Sequence, residues 1–297
     1  MNNNRVTAIG EILWDVYPEG KRLGGAPFNF IYHVWKLIGS ANFISNVGGD
    51  EYGKEILDFL NKKKFPTKYI LIDNVHPTGN VKVKLNDDKT PKFKISAECC
   101  YDYLTLNDET QKLIEEETDL IYFGTLSQRS EVSRRTIQSL FNKNKKYFCD
   151  LNLRHDFFSK EMIEKALFTS NVIKINYDEL NKIKSLFDLT GNDFDTIEQI
   201  NKNYSVDLIC VTLDADGAIL FDGKSFDKQK AEPKKIIDTV GAGDAFASIL
   251  CVGYLKKMNL KKINKLANEF AAEICNVNGA LPEDDKLYEK YKNELAL

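Results

Sequence analysis

The feature that most constrains this chain is a rhythm that sets in at Asp119. Short apolar runs at residues 120–123, 147–151, 172–175 and 208–213 alternate with helically spaced apolar stretches at 131–140, 160–168 and 197–204. Strands that alternate with helices argue for a mostly parallel sheet covered by helices on both faces. The runs close on polar clusters: Asp150-Leu151-Asn152-Leu153-Arg154, Asn176-Tyr177-Asp178-Glu179 and Asp214-Ala215-Asp216-Gly217. In open α/β sheets, ligands bind beyond the carboxyl ends of the strands. The rhythm therefore predicts an α/β class and also the edge of the sheet where function should lie.

The first third follows the same plan with one exception. Residues 6–10 and 43–47 read as short buried strands. Gly24-Gly25-Ala26-Pro27-Phe28-Asn29 leads into a helix, with Pro27 in its first turn and Gly39 stopping it. The double glycine lets something come close to the backbone. Asn29 would either face a ligand or bond local backbone. Asp50 is placed to cap a helix carrying Ile56, Leu57 and Leu60. The exception is residues 78–95. Val81, Val83 and Leu85 alternate with Lys82 and Lys84, a turn is expected at Asn86-Asp87-Asp88-Lys89, and Phe93 and Ile95 alternate with Lys92 and Lys94. Such an amphipathic hairpin is weak alone and needs a partner surface. It reads as an excursion from the main sheet, a lid that can also join two subunits. Helices are expected at 260–277 and 282–295, and no internal repeat or linker divides residues 1–297.

Composition narrows the partners. A net charge of −3, with Lys and Glu intermixed, gives no field for nucleic acid or an acidic membrane. Six cysteines without a CxxC pair, several in apolar runs, suit buried thiols in a reducing compartment. Residues 1–5 run straight into a strand-like segment without the apolar core of a signal peptide. No uncharged run approaches a membrane span, so a soluble cytoplasmic protein is expected. His33, His76 and His155 are the only histidines, which argues against a His-based metal site.

The chemistry concentrates in Asp238-Thr239-Val240-Gly241-Ala242-Gly243-Asp244-Ala245-Phe246. Two glycines and a carboxylate precede an apolar, helix-compatible run at 245–255. A helix N-terminus offers unpaired N–H groups to an anion, and Asp244 beside it could accept a proton. The alternative is a glycine turn with Asp244 as a first-turn carboxylate favoured by the helix dipole. Two other motifs fail. Residues 218–225 end like a phosphate loop but begin with alanine and lead into no helix. Residues 241–246 lack the third glycine of a dinucleotide fingerprint and lie far from the first strand, which weakens a dehydrogenase reading.

Taken together, the stretches at 24–29 and 238–246 resemble the two signatures of the PfkB/ribokinase family of carbohydrate kinases. The resemblance covers essentially the whole chain. Gly10-Glu11-Ile12-Leu13-Trp14-Asp15 and Asp150-Leu151-Asn152-Leu153-Arg154 are most similar to fructokinases. It implies a single ribokinase-like domain with a small β lid inserted at about 11–23 and 76–104, and a homodimer through that lid in some members. It implies transfer of the γ-phosphoryl group of ATP to a sugar hydroxyl, with fructose ahead of 2-keto-3-deoxygluconate, or a catalytically silent binding protein on the same fold. Asp244 would be the base, and the N–H groups of Gly241, Ala242 and Gly243 the anion hole. Asp15, Gly25 and Asn29 would bind sugar, although Asp15 could also be a turn carboxylate. Asn176 and Glu179 would support Mg²⁺, or simply cap the helix that follows. Thr212, Gly217 and Asn276 would border the nucleotide, with Asp214 standing where glycine is usual. Arg154 would set sugar specificity, or form a surface ion pair. Asp238 and the Gly279-Ala280 region match positions where many members hold a monovalent cation such as K⁺. Near a helix N-terminus, Asp244 is expected to stay ionised.

Overall fold

Successive side chains of a strand point to opposite faces of its sheet, and two buried faces organise this molecule. The computed structural model describes residues 5–85, 91–141, 144–231 and 236–295. Its elements run β1 (Val6–Ile9), β2 (Leu13–Tyr17), β3 (Gly20–Gly24), α1 (Ala26–Ile38), β4 (Ala41–Gly48), α2 (Glu51–Lys63), β5 (Ile70–Asp73), β6 (Asn80–Leu85), β7 (Pro91–Ile95), α3 (Asp108–Glu117), β8 (Leu120–Phe123) and α4 (Glu131–Ser139). There follow β9 (Lys146–Asp150), α5 (Lys160–Thr169), β10 (Val172–Asn176), α6 (Tyr177–Leu186), α7 (Asp193–Tyr204), β11 (Leu208–Thr212), β12 (Ala218–Phe221), β13 (Phe226–Gln229), α8 (Ala242–Leu255), α9 (Leu260–Ile274) and α10 (Lys286–Glu294).

The main sheet has the order β13-β12-β11-β10-β9-β8-β1-β4-β5. Its pairs are parallel from β11 to β5, and only β12 and β13 run antiparallel to their neighbours. A second sheet, β3-β2-β6-β7, stands apart from it. Val6, Ala8, Tyr122, Phe148 and Val172 face one core, covered by α1, α2, α8, α9 and α10. Ile9, Ile121, Cys149, Ile173 and Ile209 face the other, covered by the helices from α3 to α7. The same parity sends Asp150 and Lys174, paired across β9 and β10, to the α1/α8 side.

Helix α1 is seated by Phe30. Its ring stacks on Tyr122 at 3.7 Å between centroids and meets Phe148 edge-on at 5.7 Å. The small sheet keeps the expected two-sidedness where its side chains are described. Val81 is buried with Leu13 and Tyr101, Ile95 packs against them, and Lys82 and Lys94 are exposed. The turn expected at Asn86 to Lys89 lies outside the described residues.

Several boundaries differ from the sequence expectation. Helix α8 starts at Ala242, three residues before the apolar run, because Gly241 takes a left-handed conformation at its N-cap. The last two helices are shorter than expected, α9 ending at Ile274 and α10 starting at Lys286. Between them the chain turns at Gly279, whose φ of 81° no helix tolerates. Strand β5 was not anticipated: it is a four-residue edge strand with one fully buried side chain, too short to show alternation. Helix α3 was also missed, although Asn107 and Thr110 form a capping box at its start. The six cysteines are unpaired. Among the described residues no helix is long and apolar enough to cross a membrane.

Phe30 is fully buried, so Phe30→Ala should lower the unfolding free energy by about 3–5 kcal/mol, read by denaturant titration. A loss below about 1 kcal/mol would mean that α1 does not rely on this ring for its seat.

Candidate active site

The two glycine-rich stretches, more than two hundred residues apart in sequence, meet at one contact. Asn29, the fourth residue of α1, donates from Nδ2 to Oδ2 of Asp244, the third residue of α8, at 2.8 Å. The other amide atom, Asn29 Oδ1, is buried and has no hydrogen-bond partner among the described residues. A buried acceptor without a donor is costly, so the contact carries a local cost to stability. Two glycines permit the approach. A Cβ on Gly25 would stand 2.5 Å from the Glu11 carbonyl oxygen, and one on Gly241 would stand 2.3 Å from Ala280 Cβ.

Around this contact lies a cavity of about 420 Å³ between the carboxyl ends of β1, β9 and β10 and the small sheet. Asp15, Gly25, Asn29, Arg154, Gly241, Gly243 and Asp244 line it, and Ala242 does not. The N–H of Ala242 leans towards the Thr239 carbonyl at 3.3 Å. Among the described residues those of Gly241 and Gly243 have no partner, so these two are the ready donors for an anion. Among the other lining residues, sequence reasoning gave no role to three that carry acidic or amino groups: Glu11, Asp150 and Lys174. The signal for the last was legible, since a lysine inside the run Val172-Ile173-Lys174-Ile175 has no place in a buried strand unless it is paired. Its ammonium donates to Asp150 Oδ2 at 2.8 Å and lies 3.5 Å from where a Cβ would sit on Gly243.

Burial and like charge dominate the electrostatics. Burial, reinforced by the nearby Asp150 carboxylate, raises Asp244 to about 7, against the opposing pull of the Asn29 bond, Lys174 and Arg154. This corrects the expectation that a helix N-terminus keeps Asp244 ionised: desolvation outweighs the dipole. Burial also raises Asp15 to about 6, with Arg154 and Arg22 opposing. Glu11 is raised for the same reason, although the Ser127 hydroxyl donates to it. Arg154 is exposed at the cavity rim, and its side chain makes no ion pair among the described residues, contrary to the surface-pair alternative.

The other predicted site residues do not line the cavity. Asn176 and Glu179 form the capping box of α6, and the Glu179 carboxylate accepts from the N–H groups of both Asn176 and Leu153. Thr212 ends β11 with its hydroxyl 3.4 Å from the Ile175 carbonyl. Gly217 is required by a turn in which a Cβ would meet the Gln229 carbonyl oxygen at 2.0 Å. Asp214 takes the left-handed conformation usual for glycine, with φ 49°, and is exposed. Asn276 donates back to the Ala272 carbonyl at 3.1 Å. Among the described residues no group of three His, Cys, Asp or Glu side chains is placed to hold a metal ion.

Known proteins resemble this chain along most of its length. The model of the pfkB family carbohydrate kinases matches residues 16–286. A sugar kinase of Pyrococcus horikoshii, whose function is uncharacterized, is 30% identical over 97% of this chain and 95% of its own. Its crystal structure in complex with ATP superposes with a TM-score of 0.81 over 98% of this chain and 99% of that one, at 26% identity. A fructokinase of Salmonella typhimurium is 27% identical over 83% of each chain.

The raised Asp244 has a consequence for stability. Between its unfolded value near 3.8 and its folded value of about 7, the folded protein keeps a proton that the unfolded chain has lost. Stability should therefore fall as pH rises through that window. Asp244→Asn removes the penalty and should stabilise the protein at pH 8 by a few kcal/mol, at most about 4. The gain should vanish below about pH 4. Equal thermal stability of the two proteins at pH 8 would contradict the raised value.

Proposed function

Because the chain belongs to the pfkB family of carbohydrate kinases, we propose that this sugar kinase acts on D-fructose, with ATP as donor and fructose 6-phosphate as product. The observation that carries the reading is the Asn29–Asp244 contact, 2.8 Å long, in the wall of the cavity. A hydroxyl lodged at this contact would donate to Asp244, the base, and share the cavity wall with Gly241 and Gly243. Asp15 and Glu11 add acceptors for further hydroxyls, and Arg154 is a donor at the rim. A wall this rich in carboxylates suits a neutral polyol better than a sugar acid, which would bring another negative charge among them. The fructokinase among the relatives supports the same choice.

In the proposed reaction the 6-hydroxyl oxygen forms a bond to the γ-phosphorus as the bridging bond to the β-phosphate breaks. Asp244 takes the hydroxyl proton and ADP leaves with the electron pair. The glycine N–H groups and the Lys174 ammonium stabilise the charge on the phosphoryl oxygens, where positioning and charge neutralisation supply most of the catalysis. An Asp244 near neutrality is a better base than an ordinary carboxylate, because Brønsted behaviour favours a value close to the working pH. Mg²⁺, when bound with ATP, neutralises phosphate charge. The oxygen donors of Asn176 and Glu179 suit it chemically, and with both Glu179 oxygens already accepting backbone N–H groups they would hold it through its waters. Thr212, Gly217 and Asn276 border the nucleotide in this reading, and the small sheet closes over the sugar.

A coupled assay on a panel of sugars tests the substrate. Fructose should be turned over with ATP–Mg²⁺, and strong turnover of 2-keto-3-deoxygluconate with none of fructose would replace the proposal by a sugar-acid kinase. Asp244→Asn should lower kcat by about 10²-fold or more; unchanged turnover would remove Asp244 from the reaction. In the wild type, kcat/KM should climb with pH as Asp244 ionises at about 7. A profile already flat from pH 5 upward would show that no such group limits the rate.

A further inference from the structure

The family resemblance leads one to expect a monovalent cation beside Asp238 and the Gly279-Ala280 turn, and the residues present do not fit one. Asp238 Oδ2 already accepts from Arg22 Nη1 at 2.6 Å and from the Gly279 N–H at 3.0 Å, and Oδ1 accepts from the Val240 N–H at 3.0 Å. The nearby Cys275 carbonyl accepts from the N–H groups of Ile237 and Asp238, at 2.8 and 3.2 Å. A bare cation needs oxygen lone pairs, and at Asp238 Oδ2 and the Cys275 carbonyl two donors already occupy them. It would also meet the positive charge of the guanidinium.

Arg22 covers the whole spot. Its Cδ lies 3.6 Å from where a Cβ would sit on Gly279, and its guanidinium lies over the Tyr17 ring at 4.7 Å. We propose that Arg22 is a built-in replacement for the monovalent cation, a positioning residue that clamps Asp238 and so fixes the loop from Asp238 to Gly243. Arg22 belongs to β3 of the small sheet, whereas Asp238 opens the stretch that carries the anion-binding N–H groups. The charge that orders the phosphate seat is thus delivered by the element that covers the sugar. A diffusible ion would order the seat whether or not the small sheet were docked, whereas Arg22 makes the two events one. Arg22 is monodentate on Asp238 and partly exposed, with its side chain 31% accessible against 13% for its partner. It can therefore leave when the sheet lifts without stranding a buried charge.

The test compares the purified protein in KCl and in tetramethylammonium chloride at equal ionic strength, by thermal unfolding and by turnover of fructose with ATP–Mg²⁺. The wild type should show the same Tm and the same kcat in both salts. Arg22→Gln, which keeps the stem and removes the charge, should become responsive. K⁺ should raise its Tm in a concentration-dependent way, as a ligand bound only to the folded state does, and restore turnover by about ten-fold. A wild type whose Tm or kcat rises with K⁺ overturns the proposal, and so does an Arg22→Gln protein that ignores K⁺ in both readouts. The wild-type comparison decides even if the variant does not fold. The proposal rests on the kinase reading only for the turnover arm. Absent turnover in either salt would count against fructose as substrate, while the Tm comparison would still judge Arg22.

Discussion

The constraint on which the rest depends is that the main sheet is buried on both faces. Its strands β1, β8, β9, β10 and β11 each give apolar side chains to the α1 and α8 side and to the side of the helices from α3 to α7. Polar chemistry is then confined to the ends of the strands, where backbone leaves the sheet. Asp150 and Lys174 are the charged exception that tests the rule. They sit inside the sheet, in register with each other, and are tolerated because the ammonium and the carboxylate satisfy one another at 2.8 Å. Their parity aims the pair at the N-terminus of α8, under Gly243.

From that arrangement follows a conflict between folding and chemistry. Asp244 is removed from water and set near a second carboxylate, which raises it to about 7. The folded state is less stable for holding it, and the amide oxygen of Asn29, buried and without a hydrogen-bond partner among the described residues, adds to the cost. In the proposed reaction the placing of Asp244 becomes useful, because the sugar hydroxyl gives its one proton to that carboxylate. Sites of this kind are where local rules of stability are expected to fail. The loop from Asp238 to Gly243 is tied down from outside, by Arg22 on Asp238 and by the close packing of Gly241 on Ala280.

Much of this was legible in the chain. The apolar runs at 120–123, 147–151 and 172–175 became β8, β9 and β10 nearly residue for residue, since long apolar strands with helices between them admit few other structures. Gly24-Gly25 and Gly241-Ala242-Gly243-Asp244 announced themselves because glycine at a helix start is a choice with a physical reason. The short edge strand β5 was not legible, because a half-exposed four-residue segment carries no period. The start of α8 was misplaced because a helix N-cap depends on the backbone angle of Gly241, which apolar spacing does not report.

The sequence by itself determined the alternation of strands and helices, the parity that sends Asp150 and Lys174 to one face, and the residue types available at the strand ends. Those are properties of local pattern, and local pattern survives without knowledge of neighbours. Only the tertiary structure decided that Asn29 bonds Asp244, that Asp244 is shifted upward rather than kept ionised, that Asn176 and Glu179 cap a helix, and that Arg22 holds Asp238. Desolvation and charge–charge energies depend on which distant segments come within a few ångströms, and spacing along a chain does not contain that distance.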